Sequence, residues 1–368
     1  MLEPFTAGMA IVAETMLQSP HFLYRIEHGA LEGGVIALDD HQLASRLSYL
    51  LWDTMPDAEL FRAADAGELR STNALAAQAR RMLDDPRAEE KLLDFHRQLL
   101  DLHIYDDIRL DGFPATIGVT MREEAERFLS EVLFVERGGL NEVLTASYSF
   151  VDADLAALYG LSGSYGDALE RAELDPTQRA GIFTQPGFMA SHDGDAAPIH
   201  RGILINLKML CTELPAPPVF DPLELVGDTR REQLDSITGE GTCGATCHAQ
   251  FINPVGFAFE TFDDAGRWRT EDNGFPVDAT AQMVFQDGSR HRWDGPVELA
   301  AAMAGSQRVH ECYVGNWIEY AFGRPLQIGD EGLRQGLARE SREGLGVKEI
   351  IVRLVTSELF TQRRQERS

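Results

Sequence analysis

Apolar side chains recur at helical spacing between residues 38 and 135, and polar capping residues, prolines and glycines interrupt the pattern. This periodicity predicts five amphipathic helices. The signals expected to begin them are, in order, Asp39 or Asp40, Pro56, Thr72 or Asn73, Pro86 and Thr120. Gly138-Gly139 is expected to end the fifth helix after Val135. Because the connections are short, these helices are predicted to form a bundle.

The rest of the chain alternates irregular runs with short helical and β patterns. A helix is predicted at Ala153–Tyr159, whereas residues 181–260 are rich in Gly and Pro, and such irregular runs are commonly functional. A small β-hairpin is predicted between residues 275 and 295. Its expected parts are strands around Val277 and Met283–Phe285 and a turn at Asp287-Gly288. The last predicted helices are Val297–Met303, Tyr313–Phe322 and Val347–Phe360. The predicted fold class is therefore mainly α.

The charge balance narrows the functional classes. The 368 residues include 33 Lys and Arg against 59 Asp and Glu, a net charge of −26. A field of this sign repels phosphate backbones, so nucleic-acid binding is not expected. The charge suits either a solvated, salt-tolerant surface or a basic redox partner, and the sequence leaves both open. No segment approaches the roughly 18–20 uninterrupted apolar residues of a membrane span, so no span is expected.

Two cysteines and a histidine form the strongest chemical signal, in the segment Cys243-Gly244-Ala245-Thr246-Cys247-His248. Cys-x-x-Cys-His marks the covalent attachment of c-type haem, and the spacing here is one residue longer. Attachment needs two thiols and an imidazole on one tight turn. A zinc site with a distant fourth ligand, a Cys243–Cys247 disulfide and two free thiols remain alternatives.

A haem at this motif would need support from neighbouring residues. A ligating imidazole usually donates its second N–H to an acceptor, and the carbonyl of Pro254, or one nearby, is the candidate. Gly256 is expected to let the backbone lie against the macrocycle. Arg267 could pair with a haem propionate, or could instead stack on Trp268 at the surface. Pro254 and Arg267 are therefore candidate cofactor-binding residues.

The motif does not specify a second axial ligand for an iron bound by His248. Electron-transfer cytochromes often use Met, which raises the potential. His192 and Met283 are the preferred candidates here. An open sixth position would suit peroxide or small-ligand chemistry better than electron transfer.

Cysteines and a histidine outside the motif have structural interpretations. Cys211 and Cys312 either pair in an oxidising compartment or remain buried thiols, and the sequence leaves both open. His96 lies in the predicted bundle and is expected to be a packing or capping residue. No Ser-His-Asp nucleophile motif or phosphate-binding loop is found, so enzymatic activity is left open.

Several sequence segments resemble bacterial modules of unknown function. The first set, Leu43–Trp52 with Met55–Asp57, resembles domain of unknown function 1592. A second set resembles domain 1588 and comprises Arg179–Ile182, Pro198–Gly202, Leu210-Cys211, the Cys-His motif, Asn253–Phe257 and Gly266–Arg269. A third set resembles domain 1585 and comprises Cys312, Tyr320–Arg324 and Ser357–Phe360. Ser19–Arg25 looks like the tail of domain 1595.

This resemblance implies a cytochrome-c-like protein that carries haem c. Cys243 and Cys247 match the thioether positions, and His248 matches the proximal iron ligand. The implied fold is mainly α, a helical bundle followed by a loop-rich cytochrome-c-like helical domain with a small β-hairpin. The implied divisions are the tail of an upstream helical module at 1–36, the bundle at 37–165, the Cys-His haem-type module at 166–290 and a C-terminal helical module at 291–368.

The function expected from this resemblance is electron transfer in the periplasm or another extracytoplasmic compartment. The partner would be a redox protein or an upstream haem module. The alternative is a non-catalytic binding or scaffold module of an exported assembly, with the Cys-His loop closed by a disulfide. A haem oxidase or peroxidase is a third possibility. The N-terminal residues are not expected to be a signal peptide, because no basic segment is followed by an apolar run, and the chain is expected to be truncated at its N-terminus.

Overall fold

Helices dominate the computed structural model, which describes residues 4–24, 27–192, 194, 196–214 and 224–364. The α-helices are α1 Pro4–Leu17, α2 Pro20–Leu23, α3 Asp40–Trp52, α4 Ala58–Asp65, α5 Thr72–Leu83, α6 Pro86–Leu99, α7 Ile117–Ser130, α8 Leu140–Thr145, α9 Ala153–Tyr159, α10 Pro186–Ala190, α11 Ala197–Lys208, α12 Arg230–Thr238, α13 Asn253–Phe257, α14 Pro296–Gly305, α15 Gln307–Phe322, α16 Glu331–Arg342, α17 Val347–Val355 and α18 Glu358–Thr361. Short 3-10 helices lie at Leu102–Asp107, Ile182–Thr184 and Ile328–Asp330, and π-helical turns lie at Glu131–Val135 and His248–Ile252. The predicted mainly α class is confirmed.

The strands are short and pair antiparallel. They are β1 Leu31–Glu32, β2 Val35–Ala37, β3 Tyr148–Val151, β4 Glu170–Glu173, β5 Glu271–Asp272, β6 Phe275–Pro276, β7 Thr280–Val284, β8 Arg290–Asp294 and β9 Gln362–Arg364. β2 lies between β1 and β9, and the other strands form the ribbons β3–β4, β5–β6 and β7–β8. The predicted hairpin is confirmed as β7–β8, in which Gly288 takes the positive φ of +82° that its turn requires.

Local capping chemistry explains where the first helices begin. Asp39 accepts a hydrogen bond from the backbone N–H of Gln42 at 2.8 Å, and the Gln42 side chain accepts one from the Asp39 N–H, so α3 begins with a capping box. The cap of α4 is Asp57, one residue after the predicted Pro56. α6 begins at Pro86 as predicted.

The described residues divide into two compact units, one running to residue 91 and resuming at 352, the other spanning 92–351. In the first unit, α3, α4 and α5 bury Leu43, Leu47 and Leu60. The indole of Trp52 is buried there and donates to the Met82 carbonyl at 3.0 Å. The divisions predicted at residues 36, 165 and 290 stay predictions.

The second unit contains an aromatic cluster centred on α15. Trp317 is buried and stacks on Phe95, with ring centroids 3.6 Å apart. His96 lies beside them, with Nδ1 2.7 Å from the Leu92 carbonyl and Nε2 2.9 Å from the Tyr313 hydroxyl. His96 is therefore a packing residue, as predicted.

A disulfide joins Cys211 to Cys312, with their Cα atoms 5.5 Å apart. It settles the alternative that the sequence left open for these two cysteines. The bond connects the segment directly after α11 to the buried face of α15, across a sequence separation of 101 residues.

Two local predictions differ from the structure, and one helix was not predicted. The strand predicted around Val277 is shorter and lies just before it: β6 ends at Pro276, and the Val277 N–H donates to the Thr270 carbonyl at the end of the β5–β6 ribbon. The predicted helix at 347–360 is divided, because Ser357 caps a new helix by accepting from the Phe360 N–H. α16 was not predicted, since it has few apolar residues and is held by packing against α15.

Candidate functional site

Two glycines bring α11 against the segment that follows the Cys-His motif. A Cβ atom at Gly202 would collide with the Ile252 carbonyl, and a Cβ atom at Gly256 would collide with the Pro198 carbonyl. Only glycine permits so close an approach of two backbones. Gly256 therefore serves this helix crossing, in contrast to its expected place against a macrocycle.

The motif forms a tight turn after α12. The N–H groups of Cys247 and His248 both donate to the Gly244 carbonyl, at 3.1 and 2.9 Å. A Cβ atom at Gly244 would lie 3.2 Å from Cα of Thr238 and 3.4 Å from Cδ2 of His248. The absence of a side chain at Gly244 thus lets the turn lie against both the end of α12 and the imidazole.

The chain leaves the motif through a π-helical turn, His248–Ile252, that leads into α13. The N–H of Asn253 donates to the carbonyl of His248, five residues earlier. The Phe251 carbonyl accepts from the buried side chain of Asn206 on α11 at 2.9 Å, which anchors the turn. Such turns are rare and occur frequently at functional sites.

Both cysteines of the motif are free thiols. Cys243 is exposed, whereas Cys247 is half-buried against an apolar cluster. That cluster consists of Ile199, Leu234, Ile252 and Phe257, with Ile203 and Leu214 at its edge. The Cys243–Cys247 disulfide expected in the scaffold alternative is not formed.

The imidazole of His248 is half-buried and favours its neutral form. Desolvation lowers its pKa below the usual 6.5, and the neighbouring Asn253 side chain opposes this lowering. Nδ1 of the ring is buried and has no hydrogen-bond partner of standard geometry among the residues described. A neutral imidazole is the form that binds a metal ion.

The Pro254 carbonyl, expected to orient His248, accepts from the indole N–H of Trp293 at 3.1 Å. This bond fastens β8 to α13. The polar side chain beside His248 is that of Asn253, which sequence reasoning missed. A role for Pro254 in cofactor binding stays a prediction.

A cleft of about 560 Å³ adjoins the motif. It is lined by Arg231, Asp235, Glu240, Ala249, Asn253, Pro254, Phe257, Thr280, Ala281, Gln282 and Arg292. Arg231 is fixed by donating to the carbonyls of Asp278 and Thr280, both at 2.8 Å, and its guanidinium lies 4.9 Å from the Phe257 ring centre. Because ligand pockets commonly measure about 300–1,000 Å³, the cleft is large enough for a small molecule.

The two candidates for the sixth ligand have other neighbours. Nδ1 of His192 lies 2.8 Å from the Ser191 hydroxyl, and its ring packs beside Phe188. Met283 is buried in β7, directly opposite His291 of β8. Within the described ranges, no group of three or more His, Cys, Asp or Glu side chains is arranged to hold a metal ion. The identity of a sixth ligand stays a prediction.

Arg267 is exposed at a turn rather than stacked on Trp268. Its guanidinium lies 3.4 Å from the Asp263 carboxylate and 5.6 Å from the ring centre of Phe113. Trp268 packs edge-on against Phe262 instead. The expected surface stacking on Trp268 is therefore wrong, and propionate binding by Arg267 stays a prediction. The arginines that line the cleft are Arg231 and Arg292.

A second polar cluster was also missed from the sequence. The buried carboxyl group of Glu124 accepts from the hydroxyls of Ser149 and Tyr159, at 2.6 and 2.5 Å. Desolvation raises the pKa of Glu124 to about 7. Glu124 and Ser149 are far apart in sequence, and only the packing of α7 against β3 brings them together.

The fold and the site define a mainly helical protein with a Cys-His turn whose two thiols are free. Family models match in order along the chain: protein of unknown function (DUF1592) over residues 38–161, (DUF1588) over 179–272 and (DUF1585) over 289–360. The chain belongs to the family that carries these three modules in succession. The tail of domain 1595 stays a prediction. Comparison with curated proteins and with solved structures finds no match.

Proposed function

We propose that this protein is a c-type-cytochrome-like haem protein that transfers electrons outside the cytoplasm, with haem c attached at Cys243, Cys247 and His248. The observation that carries the proposal is the state of the cysteines. Cys211 and Cys312 are paired, whereas the two cysteines of the motif are free thiols on one turn with an imidazole.

The residues of the turn fit the chemistry of attachment. Each thiol of Cys243 and Cys247 would add its S–H across a vinyl group, forming one sulfur–carbon bond and placing the proton on the neighbouring carbon. No atom leaves and no oxidant is needed. His248 would supply a nitrogen ligand to the iron, and its lowered pKa favours the neutral ring that binds a metal.

The surroundings of the motif also suit a large cofactor with an apolar body and charged edges. A buried apolar cluster lies behind Cys247, and its member Phe257 also lines the adjoining cleft. The adjoining cleft is lined by Arg231 and Arg292 together with Asp235 and Glu240, and Arg231 already lies 3.4 Å from the Asp278 carboxylate. Arg292 is therefore the better candidate to pair with a carboxylate group of the cofactor. The haem, when bound, supplies the one-electron chemistry, while the chain binds and orients it.

The Cys211–Cys312 disulfide is compatible with an oxidising, extracytoplasmic compartment. None of the helices in the described ranges is both long and apolar enough to cross a membrane. The net charge of −26 would suit a basic redox partner, because opposite charge speeds the encounter of two proteins.

The test is expression of the full chain with a c-type haem maturation system, followed by haem staining of a denaturing gel and intact-mass measurement. We expect covalent haem in the wild type and none in the variant Cys243→Ala with Cys247→Ala. The wild type expressed without the maturation system is the control. The single variants show whether one or two thioethers form, and a folded wild type with the mass of the polypeptide alone would refute the proposal in favour of a scaffold module.

A further inference from the structure

A chain of polar groups leads from α12 to the imidazole of His248. The hydroxyl of Thr238 donates to the Leu234 carbonyl at 2.6 Å. Nδ2 of Asn253 donates to the same hydroxyl oxygen at 2.9 Å. Thr238 and Asn253 are only 9% and 3% exposed, so water does not readily replace these bonds.

The direction of these bonds fixes the orientation of the Asn253 amide. Thr238 has one hydroxyl proton, which goes to the Leu234 carbonyl, so its oxygen can only accept from Asn253. Nδ2 must therefore face Thr238, and Oδ1 must face away from it. Oδ1 of Asn253 and Nδ1 of His248 are both buried, and neither has a hydrogen-bond partner of standard geometry in the described part of the chain.

The π-helical turn explains why Asn253 is the residue next to His248. Five residues separate the two, which is one turn of π-helix, whereas an α-helix would place Ile252 there. The two buried atoms left without a partner, Oδ1 of Asn253 and Nδ1 of His248, therefore belong to residues that are neighbours on this turn. An amide oxygen only accepts, so the two atoms satisfy each other when Nδ1 carries the hydrogen.

We infer that Asn253 is a positioning residue that holds His248 as the Nδ1–H tautomer and leaves the Nε2 lone pair available as the metal ligand. Thr238 in turn holds the Asn253 amide in the required orientation. The importance of this tautomer for cofactor binding rests on the proposed haem site, but the tautomer itself belongs to the protein without haem. Ligating histidines commonly depend on such an outer partner.

The test is nuclear magnetic resonance of the full chain labelled with ¹⁵N-histidine, without haem and well above the pKa of His248. The ¹⁵N resonances of His248 are identified as those that disappear in the variant His248→Gln. We expect a protonated Nδ1 and a bare Nε2 in the wild type. Asn253→Ala and Thr238→Val should shift His248 towards the Nε2–H tautomer that free histidine prefers, whereas Thr238→Ser, which keeps the hydroxyl, should retain the wild-type tautomer.

A wild type with Nε2–H at His248 overturns the inference, as does retention of Nδ1–H in both variants. If Asn253→Ala does not fold, Thr238→Val decides, because it keeps the amide and removes only its anchor. In the haem-loaded protein, we expect Asn253→Ala to raise the midpoint potential, because the imidazole becomes a weaker donor. The two proposals fail separately: a protein with Nδ1–H that takes up no haem refutes the haem function alone, and a haem-bearing protein with Nε2–H refutes the role of Asn253 alone.

Discussion

His96 and His248 lie in two regions of the second unit, and the two rings differ in their burial and in their hydrogen bonding. Around His96, both ring nitrogens are hydrogen-bonded and the ring is 1% exposed among Phe95, Tyr313 and Trp317. Around His248, the ring is half-buried on a tight turn between two free thiols and a π-helical turn. Both nitrogens of His96 therefore have hydrogen-bond partners in the protein, whereas Nδ1 of His248 has none of standard geometry among the described residues.

The difference shows how a structural histidine can be told from a candidate ligand. A buried ring with two partners has no lone pair left for another group, since one nitrogen donates and the other accepts. At His248, Nδ1 is buried without a partner of standard geometry among the described residues, and the neighbouring Asn253 carries a buried amide oxygen that is also unpartnered. The second nitrogen is left for a ligand, which is the arrangement that metal sites use.

The largest effect on the free energy of unfolding is expected from loss of the disulfide. The bond links α15, which carries the aromatic residues around His96, to the end of α11, which packs beside the Cys-His turn. Cys312 precedes Tyr313 on α15, and Cys211 follows α11, which packs against α13 and the π-helical turn. Replacing both Cys211 and Cys312 by Ala should lower the free energy of unfolding by about 4–5 kcal/mol, given the entropy of a loop of about 100 residues. Urea denaturation of the oxidised protein measures this.

The matched control is the other pair of cysteines. Cys243→Ala with Cys247→Ala removes no cross-link and should change the free energy of unfolding by less than about 1 kcal/mol. Equal urea midpoints for the two double variants would contradict the assignment of Cys211 and Cys312 as the structural pair.

The next effect concerns the pH dependence of stability at His96. Burial lowers its pKa from 6.5 to about 4. Between these pH values the unfolded chain binds the proton and the folded chain does not, so stability falls as pH drops from 6.5 towards 4. The loss amounts to about 3 kcal/mol. His96→Gln should remove this loss in unfolding experiments at pH 7 and pH 4.5, and parallel curves for variant and wild type would count against it.

The smallest effect on stability is expected at His248, where the comparison predicts a loss of function without a loss of fold. His248→Gln removes a half-buried ring whose Nδ1 has no standard partner among the described residues. The free energy of unfolding should change by less than about 1 kcal/mol. The spectrum of a haem-loaded sample should nevertheless lose the signature of an axial imidazole. A destabilisation of about 3 kcal/mol or more by His248→Gln would remove the contrast between the two regions.

Much of the helical architecture was predictable because its signals are local. Asp39 and Pro86 begin helices where their capping chemistry indicates, and the helix at Ala153–Tyr159 was predicted with its observed bounds. The turn at Asp287-Gly288 likewise follows from the residues themselves. The pairing of β2 with β9 and of β3 with β4 was not predicted, since these partners are distant in sequence and the strands are only three or four residues long. The β1–β2 hairpin was missed because its strands have only two and three residues.

The sequence by itself determined the helical class, the family and the residues of the Cys-His turn, because periodicity, capping and motif spacing are properties of neighbouring residues. Only the tertiary structure decided that Cys211 pairs with Cys312 and that the Pro254 carbonyl is bound by Trp293. It also decided that Asn253 stands beside His248, since a π-helical turn changes which residue faces the ring. Each of these contacts joins groups from different secondary-structure elements, so periodicity, capping and motif spacing did not predict them.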